Sequence, residues 1–246
     1  MEQPFLDLGQ FMAHSPELES TSSNWNKYGS WNRRHEGLAE VWVRDLIQWL
    51  GSHPAVNRQT SVLDFGCGYF DVGLALVPHV FRVDGFDVSP EACDIASQRA
   101  RFHLGRSQIF KRSSDIPSEA YDVIIVNSVI QYFSNLDSLR DHFSLWKSLL
   151  KDKPNSQILI ADIIPPNYIS WRDAIRSLEV AWRERMLWPM VTHLWKAATK
   201  PKALSLLQIE FEVICKFADA IGFKAKLLPV NLTPSRQRYS VVVSKG

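Results

Sequence analysis

The chain has 246 residues, 46% hydrophobic and 22% charged, with 11 Gly and 13 Pro spread along it. That suits one large domain with an elaboration and excludes disordered and fibrous classes. Its 28 basic and 26 acidic residues leave a formal charge of +2, too little to draw a nucleic-acid backbone or an anionic membrane by a broad field.

The first residues, MEQPFLDLGQ, lack a basic start followed by an apolar run, and Glu2 stands where myristoylation needs glycine. Neither secretion nor an N-terminal lipid anchor is expected, and no stretch reaches the length of a membrane span. Three cysteines, Cys67, Cys93 and Cys215, show no CxxC or CxxH spacing. They fit neither a disulfide framework nor a structural zinc site, so the reading expects no metal and a cytoplasmic setting.

In chain order, residues 24–35 form an aromatic, polar stretch with Trp25, Tyr28 and Trp31, read as a flap. Residues 36–50 repeat Leu38, Trp42, Leu46, Trp49 and Leu50 at helical spacing, with Gly51 and then Pro54 as the expected stop. The runs 61–65, 81–88, 108–111, 121–127 and 157–162 read as strands. Residues 89–103 and 137–150 read as helices between them, the first opened by Ser89 as N-cap and Pro90 at the first helical position. Such alternation implies right-handed crossovers and a mainly parallel sheet covered on both faces, hence an α/β fold.

After Asp162 the alternation stops. Trp171, Ile175, Leu178 and Trp182 mark one face of a helix, with Arg172, Arg176, Glu179 and Arg183 elsewhere, and a second aromatic helix is expected at 188–195. A helix at 210–220 and strands at 224–230 and 239–243 close the chain. The short link between those strands predicts an antiparallel hairpin at the sheet edge. The whole reads as a single domain, 1–246, with 1–58 as a helical flap and 166–207 as a helical insertion that caps the substrate.

The most informative stretch is Val62-Leu63-Asp64-Phe65-Gly66-Cys67-Gly68-Tyr69-Phe70-Asp71, a strand that enters a glycine turn and then a helix. Glycines let the backbone approach a ligand, and a helix start offers free N–H groups to an anionic end. About twenty residues on, Asp87 closes the second strand where this topology contacts a ribose, whose two hydroxyls a carboxylate accepts. Alone, the glycines are also compatible with a mere turn, Asp64 with bracing that turn, and Cys67 with being a small turn residue.

These residues resemble the class I S-adenosylmethionine-dependent methyltransferases of small-molecule type, over about residues 61–162 and the closing helix and hairpin. Asp64, Gly66 and Gly68 match the family's acid and alternating glycines, and Asp87 its second-strand acid. Residues 121–133, YDVIIVNSVIQYF, match its fourth-strand motif, and their end is similar to the N-methyltransferase domains of peptide synthetases. The resemblance implies a Rossmann-like seven-stranded sheet, mainly parallel with a reversed last strand, helices on both faces and a helical cap. It implies S-adenosyl-L-methionine as cofactor, with Asp64, Gly66, Cys67, Gly68 and Asp87 around it and Asn127 and Ser128 at its methionine end. Two positions depart from the family. Phe70 replaces a third glycine, and Arg112 stands where an adenine-contacting acid is usual, which turns attention to Val88, the Ser113 backbone and Asp115.

Methyl transfer is an in-line displacement that needs the nucleophile roughly 3 Å from the methyl. An alcohol or protonated amine must also lose a proton. Tyr132, Asp162 and His193 are the candidates to take it. A magnesium-assisted reaction would want an acid where Asn127 stands and an asparagine where Ile163 follows Asp162. A Pro-Cys nucleophile for cytosine chemistry is absent. Trp25, Tyr28, Trp31 and Trp171 would make a stacking or apolar acceptor pocket, or else pack the extra segments onto the sheet. Arg236 and Arg238 would hold an acidic group on the acceptor. The expected function is a stand-alone methyltransferase acting on oxygen or nitrogen of a small-molecule or carbohydrate-precursor substrate, without nucleic acid or integral membrane partners. The alternatives are a cofactor-binding scaffold without turnover and an NAD-binding oxidoreductase, the latter weakened by Phe70.

Overall fold

The computed structural model describes residues 36–103, 107–183 and 206–246. In chain order the elements are α1 (Glu36–Ser52), β1 (Ser61–Phe65), α2 (Asp71–Leu76), β2 (Arg82–Phe86), α3 (Pro90–His103), β3 (Ile109–Phe110) and β4 (Val123–Asn127). There follow α4 (Leu136–Leu149), β5 (Gln157–Ile163), α5 (Ser170–Arg183), α6 (Phe211–Ala220), β6 (Phe223–Leu227) and β7 (Tyr239–Lys245). The seven strands form one sheet in the order β3-β2-β1-β4-β5-β7-β6. The first five run parallel, and β7 is antiparallel to both β5 and β6, as the reading of a reversed last strand requires.

The strands β1, β4 and β5 are almost wholly buried, which is why they read as unbroken apolar runs rather than as alternation. Successive side chains point to opposite faces. Leu63, Phe65, Ile124, Val126, Ile158 and Ile160 face Leu139, Phe143 and Trp146 of α4 and Ile214 of α6. On the other face, Val62, Val83, Val123, Ile125 and Leu159 meet Leu46 and Leu50 of α1 and Leu76 of α2. The last turns of α1, expected within a flap, are therefore a core element.

Two expected boundaries shift. α1 runs through Gly51 to Ser52 instead of stopping at the glycine. Open space around Gly51 and the Ser52 hydroxyl bonded back to the Trp49 carbonyl (2.9 Å) let the last turn continue until Pro54 forbids it. β5 extends past Asp162 to Ile163 through a register shift between Ile160 and Ile163 against β7. The segments 24–35 and 188–195 lie outside the described residues. No described helix is long and apolar enough to cross a membrane.

Candidate active site

The carboxyl ends of β1, β2 and β4 meet where the strand order reverses direction, the place at which open α/β sheets bind ligands. After β1 the chain turns through Gly66 (φ 81°) and Gly68 (φ 51°). A Cβ on Gly66 would lie 2.3 Å from a methyl of Val129, just beyond β4. Glycine here lets the first turn press against the loop after β4, bringing their residues into one cleft.

Asp87 organises this turn. It is 3% exposed, and its two oxygens accept the N–H groups of Gly68 and Ser89, each at 2.8 Å. Burial pushes its carboxyl up, while N–H donors from Ser89, Gly68 and Val88 pull it down. The Gly66 and Cys67 amides both donate to the Phe86 carbonyl and that of Phe70 to the Cys67 carbonyl. These three amides, which precede the first helical residue of α2, close the turn on itself. Cys67 is buried and its thiol is held well above the ordinary range by burial and by Asp64 and Asp87, a packing residue rather than a nucleophile.

Asp64, one residue before the end of β1, is 2% exposed, and its Oδ2 has no hydrogen-bond partner. Burial first, then repulsion from Asp87, raises its carboxyl to about 8, against a backbone bond from Gly73 that lowers it. Asn127 Oδ1, at the end of β4, and Gln131 Oε1, four residues on, are also buried without a partner. Natural folds pair nearly all such groups, so three orphaned oxygens at this end of the sheet suit a ligand that brings donors. Gln131 was missed in the sequence, where it reads only as a polar residue inside an apolar motif.

Phe70 replaces the family's third glycine and still takes the left-handed conformation (φ 68°). Its ring is fully buried, and Cβ atoms on Gly73 and Gly85 would lie 2.1 and 3.1 Å from it. The conformation costs roughly 1–3 kcal/mol for a non-glycine residue. Burying a phenylalanine ring returns about 1.5–3 kcal/mol, enough to hold the turn in shape. On the opposite side, Asp115 is exposed and paired with Arg112 through two 3.0 Å bonds. Ser113 is buried and Val88 half-buried beside the core.

Asp162 was expected as a proton acceptor. Its Oδ2 takes the Ser128 hydroxyl (2.7 Å) and Arg238 Nη1 (2.6 Å), and its Oδ1 takes the Thr233 hydroxyl (2.6 Å). Arg238 also donates from Nε to Asp173 (3.2 Å) and from Nη2 to the Tyr168 hydroxyl (3.2 Å). Asp173, Tyr168 and Thr233 were not foreseen; for Thr233 the signal was a hydroxyl-rich NLTPSRQR loop, indistinguishable from a solvated turn. Of the two arginines weighed there, Arg238 turns inward and Arg236 is exposed. Tyr132 is half-buried in a short 3-10 turn, Ile130–Tyr132. Trp171 is 58% exposed. Trp25, Tyr28, Trp31 and His193 lie outside the described residues. Among the described residues no three His, Cys, Asp or Glu side chains gather as a metal site.

Residues 63–163 match the family model of a methyltransferase domain. Over 149 residues the chain is 29% identical to CymA, a probable nonribosomal peptide synthetase of Salinispora arenicola (strain CNS-205); the match spans 56% of this chain and 2% of that protein. The magnesium protoporphyrin IX methyltransferase ChlM of Synechocystis PCC 6803, solved with S-adenosylmethionine, superposes with a TM-score of 0.60 at 16% identity, covering 95% of this chain and 99% of that one. NodS of Bradyrhizobium japonicum WM9, an N-methyltransferase solved with S-adenosyl-L-homocysteine, superposes with a TM-score of 0.56 at 15% identity, covering 91% and 96%. The likeness to these two structures is one of fold.

Proposed function

We propose that this chain, whose residues 63–163 match a methyltransferase domain, is a class I S-adenosylmethionine-dependent methyltransferase that uses the ends of β1, β2 and β4 to transfer a methyl group to oxygen or nitrogen of a small-molecule or carbohydrate-precursor acceptor. The observation that carries the reading is Asp64: a buried carboxyl group with an oxygen that lacks a donor, one that an ammonium group beside it would satisfy. S-adenosylmethionine has such a group at its amino-acid end and two ribose hydroxyls that Asp87 would meet at the end of β2. Asn127 and Ser128 would meet the methionine end. Val88, Ser113 and Asp115 would border the adenine, with Gly66, Cys67 and Gly68 as the wall between.

When bound, the cofactor supplies a methyl on an already activated sulfonium. The chain's own residues are left to orient the acceptor, exclude water and receive a proton. Tyr132 is the described residue proposed for that last task, with His193 a second candidate from the insertion. The bonds already made by Asp162 favour a bracing role for it. Trp25, Tyr28 and Trp31 on segment 1–58 and Trp171 on segment 166–207 are proposed to line the acceptor side as a cap, with Arg236 from the loop before β7, and the protein is proposed to work in the cytoplasm.

Calorimetric titration with S-adenosylmethionine, S-adenosylhomocysteine and NAD tests the reading. Micromolar binding of the first two is expected, weakened about tenfold to a hundredfold in Asp87→Ala by loss of charged hydrogen bonds. Binding of NAD in their place would overturn it. Methylated product from a panel of amine and hydroxyl acceptors would exclude a scaffold without turnover.

A further inference from the structure

Arg238 stands where three separate parts of the chain meet. Its side chain is 18% exposed, and each of its three nitrogens has a different partner: Asp162 on β5, Asp173 on α5 and Tyr168 between them. The guanidinium also sits over the Tyr168 ring, 5.2 Å from its centre. With every nitrogen so engaged, two of them by carboxylates, Arg238 is poorly suited to hold an acidic acceptor.

What it does hold is unusual backbone. Asp162 (φ 68°) and Ser128 (φ 57°) are both non-glycine residues in the left-handed region. They are joined by the Ser128 hydroxyl on Asp162 and by the Ser128 N–H on the Ala161 carbonyl (3.1 Å). Such conformations persist only where their surroundings over-determine them, and they gather at functional sites. Ser128 directly follows Asn127 and precedes Val129, which touches the glycine turn. At its other end the network reaches α5: the Asp173 carboxylate takes the Ser235 and Tyr168 hydroxyls (2.6 and 2.7 Å) as well as Arg238.

We infer that Arg238 is a positioning residue that couples the seating of α5 to the backbone at Ser128, so that the insertion and the cofactor end of the cleft set one another. The planar guanidinium offers Nη1 to Asp162 and Nε to Asp173 in one fixed fork, a geometry that the single nitrogen of a lysine does not reproduce. The effect on cofactor affinity rests on the function proposed above; the coupling between α5 and Ser128 does not.

The test is backbone amide exchange at Ser128 and over residues 170–183, measured by NMR on the full chain, with calorimetric affinity for S-adenosylhomocysteine alongside. Asp173→Asn, altered only on α5, is expected to speed exchange at Ser128 as well as in α5, and to weaken the ligand about twofold to thirtyfold, the range for residues within a coupling network. Arg238→Lys should do the same, and the double variant should be no worse than either single one. If either variant does not fold, Tyr168→Phe removes one hydroxyl from the network and should give the same pattern at lower amplitude. Faster exchange confined to 170–183, with Ser128 and affinity unchanged, would overturn the inference, as would strictly additive effects in the double variant. If the unaltered protein binds no S-adenosylhomocysteine, the proposed function falls, and exchange at Ser128 still decides the coupling.

Discussion

Asp64 carries a penalty in the folded protein that a bound ammonium group would relieve. Its carboxyl is raised to about 8 from an ordinary 3.8, chiefly by burial and then by Asp87. Between about pH 4 and 8 the folded chain therefore binds a proton that the unfolded chain does not, and stability falls as pH rises through that window. Asp64→Asn removes this slope. Its melting temperature should gain on the parent steadily from pH 5 to 8, while its affinity for S-adenosylmethionine drops about tenfold or more; parallel pH profiles for the two proteins would show that Asp64 does not titrate in this way. An ammonium group entering beside Asp64 should also release a proton, read as a calorimetric enthalpy that depends on the buffer. Phe70 makes a second prediction at this scale. Phe70→Gly relieves the φ of 68° but empties a fully buried site, and the cavity term of about 3–5 kcal/mol for such truncations exceeds the strain recovered. Net destabilisation is expected in urea unfolding. Gly73→Ala should be harmful in the parent, where its Cβ meets the Phe70 ring at 2.1 Å, and tolerated once Phe70→Ala has removed that ring.

At the scale of elements, periodicity located α5 and left open which side of it meets the protein. Trp171, Ile175 and Trp182 form the expected stripe, yet they are 58%, 49% and 69% exposed. The side turned to the protein carries Asp173, Val180 and Ala181. A stripe shows that a helix has two faces, not which of them is inside, and the ion pairs that decide it join Arg238 to residues 65 and 76 positions away. By contrast β1 and β4 were legible as short apolar runs, because both faces of a central parallel strand are buried. One local signal of capping was legible too. Ser89, read as a cap, accepts the Ala92 N–H with its hydroxyl (3.3 Å), while Asn135, which the sequence reading passed over, accepts the Ser138 N–H at the start of α4 (2.8 Å). Asn135→Ala should cost about 1 kcal/mol, visible as a lower urea midpoint with an unchanged slope.

For the whole molecule, the strand order itself gathers the site. Asp64, Asp87 and Asn127 are far apart in sequence, and parallel pairing of β2, β1 and β4 puts them at one end of the sheet. That much followed from the motif and its spacing, while the contacts of Arg238 and Asp173 and the burial of Gln131 arise only in the folded chain. Ligand binding here should stabilise the entire domain. S-adenosylhomocysteine at a hundred times its Kd adds about 2.7 kcal/mol, which for a chain of this size raises Tm by roughly 5–10 °C, whereas NAD should leave Tm where it was. The two borders of the sheet are unlike its centre. One is β3, only two residues long, and the other is β6, where Lys224 and Lys226 are exposed and Lys224 is paired with Asp219 (2.8 Å). A short border and a lysine-lined one are poor templates for a further strand. Neither border of the sheet therefore favours growth by strand addition from a second chain.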